Sequence, residues 1–381
     1  MKTLLVTLIF ILSSLLISAP GDLIWRYRTT REIWSSPCVA NRNVYVGSND
    51  HNLYALHCID GSFIWKYQAA WYVTSTPCVS GGVVFFGSED SFLYAVNCSN
   101  GSLKWRYRTV NDIDSSPCIS DGVVYIGNDY GYVFAINSSD GTLKWRYQTG
   151  SAVETTPRVS DGVVFVGSHD SYIYAINCPD ATLKWRYKTG NWIESSPCIV
   201  NGVVYIGSDD HYLYALNSSD GSLKWRYQTS YLVRSSPCVS EGVVYFGGWD
   251  SYLYALNATN GSLKWVFKAD YRIDTSPCVS DGVVYFGSND WHVYAVRISD
   301  GSLLWKYETG AVVVSSPFVS EGVVYIGSGD YYLYALETYG YSGFKENESA
   351  SNLPEKSLSA SPNPFSSRLS ISLPSSGAIY S

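Results

Sequence analysis

The nine cysteines and five histidines are the side chains of this 381-residue sequence best suited to metal binding or redox chemistry. The histidines form no short spacing of the kind that holds zinc; they are His51, His57, His169, His211 and His292. The cysteines occupy two positions that recur every 40 residues, the first held by Cys38, Cys78, Cys118, Cys198, Cys238 and Cys278 and the second by Cys58, Cys98 and Cys178. An odd number of thiols in a repeated register indicates small buried side chains, not a disulfide framework. A single disulfide, such as one between Cys38 and Cys58, is the alternative that the sequence leaves open. We predict no metal site and no catalytic residue.

Aspartate also recurs, as the last residue of a Gly-Ser-x-Asp pattern, at Asp50, Asp90, Asp170, Asp210, Asp250, Asp290 and Asp330. A residue required in seven places serves a local purpose, and an aspartate here would cap a turn with its carboxylate. The third copy departs from the pattern: Asp129 is shifted by one position and Tyr130 takes the place of the aspartate.

These spacings belong to one internal repeat of 40 residues, which has no insertion or deletion between its first and last tryptophan. The tryptophans that mark it are Trp25, Trp65, Trp105, Trp145, Trp185, Trp225, Trp265 and Trp305. Such regularity is typical of stacked identical units. Each unit reads as four short strands joined by turns such as Asp220–Gly221, where glycine can adopt positive φ. The second and third strands are apolar on both faces, so neighbours must cover both sides. We predict an all-β fold, an eight-bladed β-propeller of 40-residue, four-stranded blades.

The two ends of the repeat region complement each other. The eighth unit stops near Leu336, after its third strand, and a fourth strand is present at the other end of the chain around Trp25. The N-terminal strand is therefore predicted to complete the last blade and close the ring.

The stretch from Ala215 to Trp225, with Asp220–Gly221 between them, resembles the tryptophan-docking motif of the pyrroloquinoline quinone (PQQ) repeat family. The resemblance covers residues 22–338 and implies that each alanine, glycine and tryptophan locks adjacent blades together. Two repeats depart from it: Ala181 replaces the motif glycine, and Arg42 replaces a turn glycine.

The resemblance implies two classes of function. Quinoprotein dehydrogenases of this family have long insertions, a disulfide between adjacent cysteines and a bound Ca²⁺. This chain has no adjacent cysteines and no insertion, and its short turns offer little material for a water-excluded pocket. The other class consists of non-enzymatic propellers, among them the outer-membrane β-barrel assembly lipoprotein.

Positions that the repeat does not need for folding are better candidates for a site. In each connection between blades a β-branched residue is followed by a variable one: Trp34, Thr74, Asp114, Glu154, Glu194, Arg234, Asp274 and Val314. We expect these to ring one mouth of the central channel and to make it acidic, with Arg234 as a partial offset. Just outside this ring we expect Trp71, Tyr72, Trp192, Tyr231, Tyr271 and Arg272. Rigid aromatics beside charges are typical of a contact surface for protein or glycan; solvated loop residues under weak constraint are the alternative.

The turns between second and third strands are expected at the opposite mouth. They carry Tyr172, Tyr212, Trp249, Tyr252, Trp291 and Tyr331, which we interpret as packing residues. The net charge of −7 gives a nucleic-acid partner little support. Basic residues beside the docking tryptophans, such as Lys144 and Arg146, are interpreted as protection of the sheet edges.

The chain termini predict export. Residues 1–19 read as a signal peptide, in which Lys2 precedes an apolar segment too short to span a membrane comfortably; an uncleaved anchor is the alternative. We assign residues 20–338 to the propeller and 339–356 to a linker. Residues 357–381, with Asn363-Pro364-Phe365, resemble the start of a truncated C-terminal sorting domain of the type IX secretion system. A disordered serine-rich tail is the alternative.

The sequence therefore predicts a non-enzymatic, secreted or cell-surface scaffold that binds a protein or glycan, with the periplasm as second location. A PQQ-dependent oxidoreductase using PQQ with Ca²⁺ is the first alternative, and a passive structural spacer is the second. We expect a monomer with no other cofactor and no membrane insertion after signal removal.

Overall fold

A computed structural model of the chain describes residues 19–338, which form eight four-stranded antiparallel sheets and contain no helix. The predicted all-β, eight-bladed propeller is confirmed. Within this range no helix has the length and apolar character needed to cross a membrane. The predicted linker and sorting domain, and all but the last residue of the predicted signal peptide, lie outside the described residues.

Each blade contains one strand of each of four kinds. The first, innermost strands are β2 (Cys38–Ala40), β6 (Cys78–Ser80), β10 (Cys118–Ser120), β14 (Arg158–Ser160), β18 (Cys198–Val200), β22 (Cys238–Ser240), β26 (Cys278–Ser280) and β30 (Phe318–Ser320). The second strands are β3 (Asn43–Gly47), β7 (Val83–Ser88), β11 (Val123–Gly127), β15 (Val163–Gly167), β19 (Val203–Ser208), β23 (Val243–Gly247), β27 (Val283–Gly287) and β31 (Val323–Gly327). The third strands are β4 (Asn52–His57), β8 (Phe92–Asn97), β12 (Tyr132–Asn137), β16 (Tyr172–Asn177), β20 (Tyr212–Asn217), β24 (Tyr252–Asn257), β28 (His292–Arg297) and β32 (Tyr332–Glu337). The outer strands are β1 (Leu23–Arg28), β5 (Phe63–Gln68), β9 (Leu103–Arg108), β13 (Leu143–Gln148), β17 (Leu183–Lys188), β21 (Leu223–Gln228), β25 (Leu263–Lys268) and β29 (Leu303–Glu308).

The hydrophobic core lies between blades. Second strands such as β11 are buried at every position, because a neighbouring blade covers each face. One core cluster joins Tyr45 and Trp65 of one blade to Phe86 and Tyr94 of the next, and equivalent clusters follow around the ring. The β-branched residues of the connections are fully buried, as Ile33 and Val73 illustrate, which confirms their prediction as core.

The eight tryptophans occupy the predicted docking positions. The indole Nε1 of Trp25 donates a hydrogen bond to the carbonyl of Cys58 in the next blade at 3.0 Å. Its ring packs on Gly61, where an added Cβ would lie 2.5 Å from the indole. Glycine is therefore favoured at this contact both for space and for its φ of +68°. Ala181 occupies the equivalent position in another blade with φ of 59°, a conformation that strains an L side chain.

The predicted closure of the ring is also present. Strand β1 pairs antiparallel with β32 and completes the sheet β30–β31–β32–β1. The Trp305 ring packs against Gly21, as the Trp25 ring packs against Gly61. Innermost strand β30 contacts β2, so first and last blades are neighbours.

The recurring aspartate links three parts of a blade. In one copy, Asp170 accepts hydrogen bonds from the backbone N–H groups of Gly150 and Tyr172 and from the hydroxyl of Tyr174. It thus joins the connection entering the blade to the turn and to the third strand. The predicted capping role is confirmed, and the carboxylate does more than cap the turn.

All nine cysteines are free thiols, so the pairing of Cys38 with Cys58 that the sequence left open is not formed.

Candidate functional site

The connections between blades and the turns between second and third strands lie at the same end of the propeller. The backbone N–H of Trp249 donates to the carbonyl of Leu232 at 3.0 Å, and that of Asp129 to Asp112 at 3.2 Å. In an antiparallel four-stranded sheet the second and fourth strands run the same way, so the chain leaves both at one end. The prediction from sequence that the turns between second and third strands lie at the mouth opposite to the connections is therefore wrong. It concerned Tyr172, Tyr212, Trp249, Tyr252, Trp291 and Tyr331. We call this end of the channel the variable mouth.

Two sets of variable residues share the variable mouth. The first ring is the predicted one: Trp34, Thr74, Asp114, Glu154, Glu194, Arg234, Asp274 and Val314. The second ring comes from the x of the Gly-Ser-x-Asp pattern: Asn49, Glu89, Asp129, His169, Asp209, Trp249, Asn289 and Gly329. Contacts between blades join members of the first ring, as Thr74 donates to Asp114 at 3.2 Å and Arg234 pairs with Glu194 at 2.9 Å.

One side of the mouth holds an acidic cluster, which comprises Glu89, Asp112, Asp114, Asp129 and Glu154. Carboxylate oxygens of Asp114, Asp129 and Glu154 lie within 4.8 Å of one another. All three side chains are partly buried. His169 lies beside the cluster, with its Nδ1 3.6 Å from Glu154.

Burial and mutual repulsion keep protons on this cluster. Burial, followed by the charges of Asp114 and Glu154, raises the pKa of Asp129 to about 7. Burial and Asp114 likewise raise the pKa of Glu89 and of Glu154 to about 7. Burial lowers the pKa of His169, so this histidine contributes little positive charge near neutral pH. A cationic group entering the mouth would therefore relieve repulsion between carboxylates that already lie close together.

The next part of the mouth is organised around Arg234. Its guanidinium donates to both carboxylate oxygens of Asp209, at 3.1 and 2.7 Å, and pairs with Glu194. It also lies 4.4 Å from the ring centroid of Trp249, and Arg272 lies 4.2 Å from the same ring. Trp249 is thus in contact with two arginines, and Arg272 in turn lies 3.1 Å from Asp274.

Most of the predicted aromatic residues form small stacks around the mouth. Trp71 stacks on Tyr72 with ring centroids 5.1 Å apart, and His51 contacts both rings. Trp192 stacks on His169 with centroids 4.8 Å apart and nearly parallel planes. Trp71 and Trp192 each expose 49% of their surface, so their outer faces are open to a partner.

Three further predicted aromatic residues belong to the connections between blades. Tyr231 stacks on Trp249 at 6.3 Å, whereas Tyr271 and Trp34 are exposed at the edge of the mouth. The twelve predicted site residues therefore lie at one end of the molecule, although not in one contiguous group. The acidic cluster and the two arginines occupy different sectors, and the arginines have acidic partners of their own in Glu194, Asp209 and Asp274.

Sequence reasoning missed the second ring. Its signal was present, because the x position is the one residue of Gly-Ser-x-Asp that differs between most repeats. Asp129 in particular belongs to this ring, and the displaced pattern of the third repeat marked it.

Comparisons with known proteins agree with this architecture. A family model described as outer membrane protein assembly factor BamB matches residues 14–115, 109–198, 189–338 and 268–364. No curated protein sequence matches the chain. Among solved structures, BamB from Moraxella catarrhalis superposes with a TM-score of 0.75 at 18% identity, over 86% of this chain and 100% of that one. The computationally designed Ika8 protein gives 0.76 at 15% identity, over 83% and 99%. Quinohemoprotein alcohol dehydrogenase from Comamonas testosteroni gives 0.71 at 16% identity, over 87% and 78%. At these identities the structural likeness establishes the fold alone.

Proposed function

Because this chain belongs to the PQQ-like propeller family described by the outer membrane protein assembly factor BamB, we propose that it is an exported, non-enzymatic scaffold. Its variable mouth binds a basic segment of a protein partner. The observation that carries the proposal is the acidic cluster, built from residues that the repeat does not require and flanked by exposed tryptophans.

The chemistry of the mouth favours a cationic, partly aromatic or aliphatic ligand. Lysine or arginine side chains would pair with Asp114, Asp129 and Glu154, and would replace protons held at a pKa of about 7 on the latter two. The exposed faces of Trp71 and Trp192 offer rigid stacking surfaces, which are typical of residues that dominate protein interfaces.

The family also includes enzymes that use PQQ, so the mouth must be tested against that group. PQQ is a flat tricarboxylate, and the acidic cluster would repel it. A Ca²⁺ bound by Asp114, Asp129 and Glu154 would reduce the repulsion, but the carboxylates of Asp112 and Glu89 would remain nearby and would still oppose a tricarboxylate. The residues of the mouth therefore do not fit a PQQ cradle, and no catalytic step is assigned.

The cellular location is proposed from the two terminal segments of the sequence. We propose export from the signal-like residues 1–19 and surface delivery from the sorting-like residues 357–381. The partner then lies at the cell surface or, as the second choice, in the periplasm.

The test measures binding of fluorescent lysine- and arginine-rich peptides by anisotropy, with acidic peptides of equal length and a neutral glycan panel alongside. The variant Trp71→Ala/Trp192→Ala/Asp114→Ala should lose basic-peptide binding by at least tenfold while its thermal unfolding temperature stays close to that of the unmodified chain. The matched control Phe63→Ala/Leu263→Ala/Glu308→Ala removes two exposed apolar side chains and one acid from outer strands. It should bind as the unmodified protein does.

Each other outcome contradicts the proposal in a recognisable way. Equal loss in both triple variants would mean that binding is not located at the mouth. Binding of glycans in place of basic peptides would assign a glycan partner, and no binding at all would favour the passive spacer. Saturable binding of PQQ with Ca²⁺, together with dye reduction by alcohols or sugars, would establish the oxidoreductase.

A further inference from the structure

A cavity of about 160 Å³ lies within the central channel and is lined by seven serine and threonine residues, three prolines, two cysteines and one arginine. Seven repeats contribute a serine or threonine to its wall, beginning with Ser36 and Thr76. These residues follow the first ring by two positions in the chain, so the cavity lies deeper in the channel than the variable mouth. Since one water needs about 10–15 Å³ on this measure, the cavity has room for a small polyatomic ligand.

The hydroxyl groups of this wall accept hydrogen bonds from the backbone of the preceding blade. The backbone N–H of Ser196 donates to the Ser236 hydroxyl at 2.9 Å, and that of Ser316 donates to the Ser36 hydroxyl at 2.9 Å. A hydroxyl that accepts such a bond still has its own proton to donate. The wall therefore offers several O–H donors to whatever occupies the cavity.

Arg158 is the only charged residue among the described residues that line this cavity. It occupies the position that is cysteine in six repeats and Phe318 in the eighth, so the repeat itself does not require an arginine there. Its charge reaches the neighbouring blade on each side: burial raises the pKa of Cys118 and Cys198, and the guanidinium opposes that shift in each thiol. The cavity thus combines one fixed positive charge with a ring of neutral donors and has no acidic side chain in its described lining.

We propose that this cavity binds a small oxyanion, held by the Arg158 guanidinium and the hydroxyl ring. A guanidinium presents a planar fork of N–H donors that matches phosphate, sulfate and carboxylate oxygens. The surrounding O–H groups donate hydrogen bonds to the remaining oxygens of the ligand. An anion that leaves water needs such donors, because a buried charge without hydrogen bonds is costly. The site is separate from the variable mouth and does not depend on the function proposed for that mouth.

The experiment is calorimetric titration of the purified full chain with sodium phosphate, sulfate and acetate in a HEPES buffer without added chloride. Thermal unfolding is measured in the same solutions, because a ligand of the folded state raises the unfolding temperature with its concentration. The main variant is Arg158→Cys, which installs the residue of six other repeats and should therefore fold. Arg158→Lys keeps the charge but removes the fork, and the control Arg106→Gln removes an exposed arginine from an outer strand.

We expect one saturable site in the unmodified chain and in Arg106→Gln. Affinity should fall at least tenfold in Arg158→Cys and by less in Arg158→Lys, with parallel loss of the thermal shift. A response to phosphate and sulfate alone assigns a free tetrahedral anion, and a response to acetate as well assigns carboxylates. Unchanged affinity in Arg158→Cys, or no saturable binding of any of the three anions, would overturn the proposal.

Discussion

Tyr130 and Phe134 occupy, in the third repeat, the two positions at which every other repeat holds a hydrogen-bonded aspartate and tyrosine. In those seven repeats the tyrosine hydroxyl donates to the aspartate carboxylate at 2.5 to 2.7 Å. Both partners are replaced together, and Asn128 takes over part of the capping by accepting from the Tyr132 N–H at 2.9 Å. The repeat that lost this structural pair is also the one that supplies Asp114 and Asp129 to the acidic cluster.

The joint replacement predicts that the aspartate and tyrosine are energetically coupled. Tyr214→Phe should lower the free energy of unfolding by about 1–2 kcal/mol, because Asp210 loses a hydrogen bond in a partly buried setting. In an Asp210→Ala background the same change should cost much less, with a coupling of about 1 kcal/mol measured by a double-mutant cycle in urea. The reverse control is Phe134→Tyr, which adds a hydroxyl where Tyr130 replaces the accepting aspartate. This change should lower the free energy of unfolding. Equal costs in both backgrounds would mean that the pair is not coupled.

The docking contact predicts a graded response to alanine. Gly141→Ala combines a φ of +76° with a Cβ 2.7 Å from the Trp105 ring, whereas Gly162→Ala has a φ of +71° and open space. Gly162→Ala should cost about 1 kcal/mol for backbone strain alone, and Gly141→Ala should cost clearly more. Conversely, Ala181→Gly should stabilise the chain by about 0.5–1 kcal/mol, because it removes strain at φ of 59°. Thermal and urea unfolding measure all three, and similar costs at Gly141 and Gly162 would remove the packing explanation.

The sequence predicted the fold because every signal was repeated. The 40-residue period, the docking tryptophans and the complementary chain ends determine blade number, strand order and closure without reference to any single contact. The site was predicted in part, since the first ring was identified but the end at which Trp249 lies was not. That error had a physical origin: alternation along a strand says nothing about which turns share an end, and strand direction must be followed through the sheet.

The sequence predicted that the mouth is acidic, but it could not predict which carboxylates lie close enough together to raise one another's pKa. Asp114, Asp129 and Glu154 come from two connections and a turn, and their approach within 4.8 Å depends on how blades pack side by side. The cavity proposed to bind an oxyanion was not predicted for a similar reason, because the sequence shows only that Arg158 stands where six repeats have cysteine. Which of the residues that differ from the repeat face the channel becomes known only from the packing of the blades.

The Arg234 network predicts that arginine and lysine are not equivalent there. Arg234→Lys keeps the charge but loses the bidentate contact with Asp209, whose side chain is only 5% exposed, and the close approach to Trp249. The free energy of unfolding should fall by about 1–2 kcal/mol, since a nearly buried carboxylate is left with fewer donors. Arg297→Lys, at the exposed end of β28, should be neutral. Urea unfolding measures both changes, and a neutral result at Arg234 would show that charge alone suffices.

The acidic cluster predicts that stability rises as pH falls. The pKa of Asp129 is about 7 in the folded chain and 3.8 ordinarily, so between these values the folded state holds a proton that the unfolded state has lost. Unfolding is therefore opposed most strongly below about pH 4, and this contribution is lost as pH rises through about 7. Glu89 and Glu154 act in the same direction, from 4.5 to about 7.

Asp129→Asn tests this directly, because an amide keeps the shape and removes the titration. The variant should be more stable than the unmodified chain at about pH 8, where four other carboxylates surround the position, and close to it at about pH 5. The control Asp161→Asn changes an exposed aspartate in a turn between first and second strands and should leave the pH dependence unchanged. The measurement is the urea midpoint of each protein across this range. If Asp129→Asn is the less stable protein at pH 8 and its pH profile matches that of Asp161→Asn, the ionised cluster does not strain the mouth, and a cationic partner would gain nothing by relieving it.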